Sequence, residues 1–315
     1  MHVSRSALSR ARRALLLPLL LGAAPACQKD PDLRPEGTAG GASRPEDLVC
    51  PTGLPGADLV RVQTEDGVVF CMDQREVTWA EYDAFLAEKR GDTSGQPAEC
   101  SWNAGYEPEY YVMNDINRTS TKCEEHFRPV SKDAAANCLD FCDALAFCAW
   151  AGKRLCGPLG QEAPDGGVFL SVDAGFDPPI PPTEFAYACT QGGTTAFPYG
   201  DAYSAGRCVY AGALIHADAA AEEIADSSTS RCQGSAEPFD RVYNLGGGVT
   251  EWQNHCRGTR SETCLTVGGG VALASSGWTS SSCGEDQGYT SGTTKSPAIG
   301  ARCCADAEPG RGAAR

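Results

Sequence analysis

Apolar and polar residues alternate over two short stretches near residue 60, which predicts a pair of strands. Residues 59–62 and 67–71 are rich in β-branched and aromatic residues. Asp66-Gly67 between them suits the positive φ that a tight hairpin turn requires. We therefore expect a β-hairpin over residues 59–71.

Apolar residues at helical spacing predict three helices farther along the chain. The first should begin at Thr78 and run to about Lys89, because Thr78 and Glu81 form the pattern of a capping box. The second is expected to start after Ser131 and to end at Gly152. Its apolar side would contain Leu139, Cys142, Ala146 and Ala149, with Cys138 on the same face as Cys142. A short third helix is expected from Pro182-Thr183-Glu184 to about Cys189.

The N-terminal segment has the pattern of a secretory signal peptide. Four arginines precede an apolar run over residues 14–21, and Ala24 and Ala26 place small residues at the cleavage-defining positions. The apolar run is too short to span a bilayer, which needs about 20 residues. Residues 1–26 are therefore predicted to be removed on export, so that the mature protein has no transmembrane helix.

Cys27 follows this segment directly and is the predicted lipidation site. The chain contains 17 cysteines, so a lipidated Cys27 leaves an even number for disulfides. Ordinary cleavage after Ala26 is the alternative, and it would leave Cys27 as an odd thiol. With lipidation, residues 27–48 form a flexible tether, residues 49–305 form one domain, and residues 306–315 form a disordered tail. We expect an exported bacterial lipoprotein, facing the periplasm or lying in the outer membrane.

The remaining cysteines are expected to be oxidised in pairs. Cysteine-rich chains are typical of exported compartments, and no two pairs here have the short C-x₂-C spacing of a zinc site. We expect Cys50 to pair with Cys71 and Cys256 with Cys264. The adjacent Cys303 and Cys304 should have two different partners, because a bridge between neighbours departs from the usual Cα separation. The other pairings stay open.

The charge of the chain excludes nucleic acid as a partner. Loss of residues 1–26, which contain four arginines and no acidic residue, changes the formal net charge from −15 to −19. So acidic a surface repels phosphate backbones and anionic headgroups. A cation, a glycan or another protein is the expected partner.

Seven motifs, in order along residues 50–304, resemble the sulfatase-modifying-factor domain of formylglycine-generating enzymes. They are Phe70 to Thr78 with Tyr82 and Phe85, Phe147 to Leu155, Glu184 to Ala188, Phe197 to Asp201, Asn244 to Trp252, Val267 to Gly270, and Ile299 to Cys303. The resemblance implies a compact α+β fold related to C-type lectins and rich in loops and disulfides. Tyr82, Phe147 and Trp150 are interpreted as core aromatics.

The resemblance also implies a calcium site, and it shows which positions correspond to the family's copper-binding cysteines. In the family, one Ca²⁺ is held by an Asn side chain, two backbone carbonyls and a Glu, which here correspond to Asn244, Gly247, Val249 and Glu251. The family's copper-binding cysteine pair corresponds to Leu273 and Trp278. Cys283 is the nearest thiol and a candidate residual thiol site, but one thiolate cannot form the two-sulfur site that suits Cu(I).

Two functions from different classes follow from this pattern. The first is a lipid-anchored, non-catalytic binding module that holds a glycan, a peptide or another protein, since a fold does not transmit activity when the site residues are missing. The second is a divergent oxidase of the formylglycine-generating type that acts on a protein cysteine. With no catalytic residue assigned, we expect the first.

Overall fold

A computed structural model describes the chain over most of residues 44–310. The described residues are 44–108, 123, 131–160, 168–170, 182–204, 207–208, 231–257, 263–268, 283 and 287–310. Leu273, Trp278 and Cys27 lie outside them, as do residues 1–43 and 311–315. The predicted signal peptide, the predicted lipidation site, most of the predicted tether and half of the predicted tail therefore lie outside the part of the chain described below.

Two of the three predicted helices form where their caps predict. Helix α1 covers Trp79–Lys89, and Thr78 and Glu81 form the predicted capping box. Helix α3 covers Glu184–Cys189, with the Thr183 side chain accepting from the N–H of Ala186. In both cases a local hydrogen bond satisfies backbone donors that the first helical turn leaves free.

The predicted start of the second helix was wrong. Helix α2 covers Phe141–Trp150 and begins at a capping box between Asp140 and Asp143. Cys138 precedes it with a φ of 62°, so Cys138 and Cys142 do not share a helical face. Residues 131–140 are instead held by distant backbone: the N–H of Ala136 donates to the carbonyl of Val77.

Eleven strands form three sheets among the described residues. A four-stranded sheet has the order β2-β3-β10-β4, and its β2 and β3 form the predicted hairpin. A five-stranded sheet has the order β5-β6-β7-β8, with β9 paired to β6. The strands are β1 (Leu48–Val49), β2 (Leu59–Gln63), β3 (Val69–Asp73), β4 (Arg154–Leu155), β5 (Val168–Leu170), β6 (Thr250–Arg257), β7 (Thr263–Val267), β8 (Gln287–Thr290), β9 (Ile299–Gly300), β10 (Cys303–Asp306) and β11 (Glu308–Pro309). This mixture of helices and mainly antiparallel sheets confirms the expected α+β class.

Strands β1 and β11 form the third sheet and correct two predicted boundaries. Leu48 pairs with Pro309 and Val49 pairs with Glu308, in antiparallel register. The predicted tether thus ends before residue 48, and the predicted disordered tail does not begin at residue 306. The polar composition of both segments concealed a pairing that involves only backbone groups.

The predicted aromatic core lies between α1 and α2. Tyr82 and Phe147 are buried with ring centroids 5.8 Å apart, and Trp150 packs against Phe147 while partly exposed. The buried hydroxyl of Tyr82 donates to the carbonyl of Tyr106 at 2.7 Å. Trp252 of β6 extends this core and donates its indole N–H to the carbonyl of Leu139. These aromatics therefore join α1, α2 and β6 in one core.

Eight disulfides pair the sixteen cysteines from Cys50 onwards. The two predicted bridges, Cys50–Cys71 and Cys256–Cys264, are confirmed, and Cys303 and Cys304 have different partners as expected. The full set is Cys50–Cys71, Cys100–Cys142, Cys123–Cys138, Cys148–Cys303, Cys156–Cys304, Cys189–Cys283, Cys208–Cys232 and Cys256–Cys264. So many disulfides indicate an oxidising, extracytoplasmic environment. Among the described residues, no helix has the length and apolar character needed to cross a bilayer.

Candidate functional site

Arg302 lies at the centre of the buried polar network that carries the predicted metal residues. Its side chain is 0% exposed, and its Nε donates to Oε1 and Oε2 of Glu251 at 2.9 and 3.1 Å. Nη1 donates to the carbonyl of Asp73 at 3.0 Å, and Nη2 donates to the carbonyl of Tyr243 at 2.8 Å. Oε2 of Glu76 is 3.7 Å from Nη2. Arg302 thereby connects β3, the turn before α1, the loop before β6 and β6 itself.

The network contains more carboxylates than cations. Asp73, Glu76 and Glu251 are buried beside Arg302, and Lys153 pairs with Oδ1 of Asp73 at 2.5 Å. Burial raises the pKa of Glu251 to about 7, although the neighbouring Arg302 guanidinium opposes this shift. Burial likewise raises the pKa of Asp73 to about 7 against the attraction of Lys153. Three carboxylates facing two cations favour either a bound proton or a further cation.

The loop from Asn244 to Val249 lies against this network. Asn244 has a φ of 64°, and its Nδ2 donates to Oε2 of Glu76 at 3.2 Å. Oε1 of Glu76 is buried and has no hydrogen-bond partner among the described residues. A Cβ at Gly248 would lie 1.8 Å from that oxygen, so only glycine fits there. The structure thus brings the loop, Glu76 and Glu251 together.

The residues at this place fit the calcium ion that the family resemblance implies. Asn244 offers an amide oxygen, and Gly247 and Val249 offer backbone carbonyls, all hard oxygen donors. Both oxygens of Glu251 already accept from Arg302, so a bound ion would share this carboxylate with the guanidinium through the remaining oxygen lone pairs. Oε1 of Glu76 is a buried carboxylate oxygen without a partner beside the same loop, and it was not in the predicted set. Since the network also has excess negative charge, both observations suit a divalent cation.

The prediction of a residual thiol site at Cys283 was wrong. Cys283 is bonded to Cys189, and its backbone N–H donates to the carbonyl of Ala196. Cys303 and Cys304, the other cysteines considered as partners for a two-thiol site, are bonded to Cys148 and Cys156. A disulfide sulfur cannot serve as a thiolate ligand, so the described residues offer no thiolate for copper.

One group of three potential metal ligands occurs among the described residues, and it is already satisfied. Cys156, Glu184 and Cys304 place their ligand atoms within 4.8 Å of one another. Cys156 and Cys304 form a disulfide, and both oxygens of Glu184 accept from Arg154, at 2.6 and 2.8 Å. The carboxylate therefore serves an ion pair that joins α3 to β4.

A second buried acidic group lies at the start of α2. Oδ2 of Asp143 is 2.8 Å from Nζ of Lys295, and its Oδ1 accepts from Nδ2 of Asn103 at 3.0 Å. Nζ of Lys295 is also 3.5 Å from Oδ2 of Asp140. Burial first, and then the nearby charge of Asp140, raise the pKa of Asp143 to about 7. Two carboxylates here share one ammonium.

Sequence reasoning missed an aromatic cluster on the surface near the loop. The rings of Phe197 and Tyr199 are stacked with centroids 5.5 Å apart, and Tyr203 lies 6.1 Å from Phe197. A Cβ at Gly246 would be 3.0 Å from the ring of Pro198, so the cluster and the Asn244 to Val249 loop are neighbours. Three aromatic residues within seven positions were the available signal.

Comparison with known proteins identifies the family. The model of the sulfatase-modifying factor enzyme 1-like domain matches residues 57–307, so the chain belongs to this family. No curated protein matches the chain.

Three solved structures resemble the fold only distantly. PvdO from Pseudomonas aeruginosa is 18% identical, with a TM-score of 0.39, and the match covers 80% of this chain and 92% of that one. CarF is 13% identical, with a TM-score of 0.40 and coverages of 80% and 96%. Treponema denticola variable protein 1 is 11% identical, with a TM-score of 0.38 and coverages of 82% and 98%.

The raised pKa of Asp143 predicts how stability changes with pH. The folded-state pKa of about 7 exceeds the unfolded value of about 3.9, so the folded state binds more protons between these values. The contribution of the Asp143 carboxyl to stability is therefore present below about pH 4 and is lost as the pH rises towards 7. This loss lowers the free energy of unfolding by no more than about 1.4 kcal/mol per pH unit. Asp143→Asn should remove this loss and gain stability relative to the wild type as the pH rises from 5 to 8.

Urea unfolding of both proteins at several pH values measures the difference. Asp58→Asn, which changes an exposed aspartate, is the matched control and should follow the wild type. The prediction would be contradicted if the free energy of unfolding changed with pH in the same way in the wild type and in Asp143→Asn.

Proposed function

We propose that this protein is an exported, lipid-anchored binding module of the sulfatase-modifying-factor family without oxidase activity. The observation that carries the proposal is the Cys189–Cys283 disulfide, which consumes the cysteine closest to the family's copper-binding positions. A Cu(I) site of the family's kind needs two thiolates within bonding distance. The other fifteen cysteines from Cys50 to Cys304 are bonded too, so the scaffold uses cysteines that an oxidase would keep reactive.

The proposed anchor rests on Cys27. The sixteen later cysteines pair completely, which leaves Cys27 as the unpaired one. An exported chain with one odd cysteine directly after a signal-peptide pattern is explained by modification of that thiol. The acyl chains would hold the domain at a membrane through the tether.

The anchor predicts the mass of the mature protein. Protein extracted from membranes should begin at Cys27 and carry the added mass of acyl chains, as measured by intact-mass spectrometry. Cys27→Ser should release it into the soluble fraction. A mature N-terminus at Cys27 without lipid mass would contradict lipidation and would leave the binding-module proposal standing.

The absence of oxidase activity is the second prediction of the proposal. The purified protein, loaded with copper and incubated in air with a Cys-x-Pro-x-Arg peptide, should form no aldehyde detectable by mass spectrometry. The physical reason is the missing thiolate pair. A formylglycine-generating enzyme of the family serves as the positive control. Turnover that disappears in Cys283→Ser would overturn the proposal in favour of the divergent oxidase.

We further propose a structural calcium site formed by Asn244, Gly247, Val249 and Glu251, with Glu76 as an additional carboxylate. The support comes from the unpartnered Oε1 of Glu76 and the excess of carboxylates around Arg302. When bound, the ion would fix the loop before β6 against the turn before α1. Its role is to hold the loop, and no chemical step is assigned to it.

Calcium should therefore stabilise the fold. At free Ca²⁺ of about 100 times Kd, binding adds about 2.7 kcal/mol, or roughly 5–10 °C in Tm for a domain of this size. Asn244→Ala should abolish the increase, whereas Glu88→Gln, which removes an exposed carboxylate of α1, should retain it. Thermal melts with Ca²⁺ and with chelator, together with calorimetric titration of Ca²⁺, test this. Equal Tm values of the wild type with Ca²⁺ and with chelator would contradict the proposed calcium site.

A further inference from the structure

A group of side chains that runs from the buried Phe197 to the exposed Tyr203 lies beside the Asn244 to Val249 loop, and we call it the aromatic platform. It consists of Phe197, Tyr199, Tyr203 and Arg207. The Phe197 and Tyr199 rings are inclined by only 13°, and the Tyr203 ring is tilted by 54° against Phe197. The Arg207 guanidinium lies 5.7 Å from the centre of the Tyr199 ring. Two tyrosine rings and one cation thus share a small area of surface.

The platform is held in place by its own backbone and by neighbouring loops. The N–H of Phe197 donates to the carbonyl of Gly200 at 2.8 Å, and the N–H of Gly200 donates back at 3.1 Å. Nε2 of Gln191 donates to the carbonyl of Pro198 at 3.0 Å. The N–H of Ser204 donates to the Tyr199 hydroxyl oxygen at 3.3 Å. A surface fixed in this way loses little conformational entropy on binding.

Disulfides fix both sides of the same segment. Cys208, next to Arg207, is bonded to Cys232. Cys283 donates its backbone N–H to the carbonyl of Ala196 and is bonded to Cys189 in α3. The first bridge connects the platform segment to Cys232, and the second ties Cys283, which is hydrogen-bonded to that segment, to helix α3. Its geometry is therefore set by the covalent scaffold as well as by hydrogen bonds.

Tyr203 is unusual in its exposure. It is 43% exposed, and among the described residues the only other exposed large hydrophobic side chain is Val49, at 46%. Val49 belongs to β1, near the beginning of the domain and far from Tyr203 in the sequence. Phe197, in contrast, is the buried member of the platform. Tyr203 thus presents an amphipathic ring to solvent without contributing to the core.

The chemistry of the platform suits the ring of a sugar. One face of a pyranose is lined with C–H groups that pack on an aromatic ring, and its hydroxyls require hydrogen-bonding groups around that ring. Asp201, Ser204 and Arg207 are exposed polar residues beside Tyr203 and Tyr199. Arg207 can donate to sugar hydroxyls, and Asp201 can accept from them.

Charge and patch size decide between ligand classes. A protein partner would need a contiguous apolar centre of several residues, and Tyr203 alone does not provide it. The chain carries a formal charge of −15, so a polyanionic glycan would be repelled over long range. A neutral oligosaccharide avoids both difficulties.

We propose that the aromatic platform binds a neutral oligosaccharide by stacking a pyranose ring on Tyr203, with hydrogen bonds to Arg207 and Asp201. This inference rests on the proposed binding-module function and supplies its ligand class. It assigns no role to the calcium ion, so the platform should bind with or without it. The platform also gives a reason for the Cys208–Cys232 and Cys189–Cys283 bridges, which fix its segment.

The test is calorimetric titration of the purified protein with neutral hexasaccharides. The probes are hexamers of β-1,4-glucose, α-1,4-glucose and β-1,4-N-acetylglucosamine, with a sulfated oligosaccharide and a proline-rich peptide as competing classes. At least one neutral hexamer should bind. Tyr203→Ala should weaken its binding about tenfold or more, and Tyr203→Phe should leave it within about threefold, because the phenyl ring still stacks.

Val49→Ala is the matched control, since it truncates the other exposed hydrophobic residue, and it should bind like the wild type. Tyr203 is exposed, so its truncation should leave Tm unchanged, which separates loss of binding from loss of fold. Failure of every neutral hexamer, binding of the peptide instead, or equal affinity of Tyr203→Ala would overturn this inference. Any of these results would leave the non-catalytic proposal intact, because only aldehyde formation in the oxidase assay contradicts that proposal.

Discussion

The buried guanidinium of Arg302 is the constraint on which the rest of the structure depends. A fully buried cation requires compensating charge and hydrogen-bond acceptors on every side. Here Glu251 supplies a carboxylate and Asp73 and Tyr243 supply carbonyls, with Glu76 close by. Loss of one partner from such a network typically costs 3–5 kcal/mol. The four-stranded sheet, the five-stranded sheet and the turn before α1 are therefore positioned by one side chain.

The disulfides complement this network and explain the proposed loss of chemistry. Cys148–Cys303 and Cys156–Cys304 close loops of sequence separation 155 and 148, so they restrain almost the same part of the unfolded chain. In an entropic account, either bridge alone keeps that loop closed, and the second adds little. The pair instead fixes the beginning of β10 beside Arg302, against both α2 and the segment after β4. The sixteen described cysteines act as a scaffold, and none of them is a free thiolate.

The elements that sequence predicted correctly are those with local physical causes. The Thr78 and Thr183 caps and the Asp66-Gly67 turn each act within a few residues, and α1, α3 and the hairpin formed as expected. The start of α2 failed because residues 131–140 bond to distant backbone, including that of Val77 and Ser296. The apolar residues there are buried among neighbouring elements, and their spacing does not reflect a helix.

The sequence by itself determined the family, the α+β class and the oxidised state of the cysteines, because motif order and composition are properties of the chain. Only the tertiary structure decided six of the eight disulfide pairings, the partners of Arg302 and the aromatic platform. Arg302 meets Glu251 and Asp73 across 51 and 229 residues. No local pattern encodes such contacts, since many folds would satisfy each residue, and only packing of the whole chain selects one set of partners.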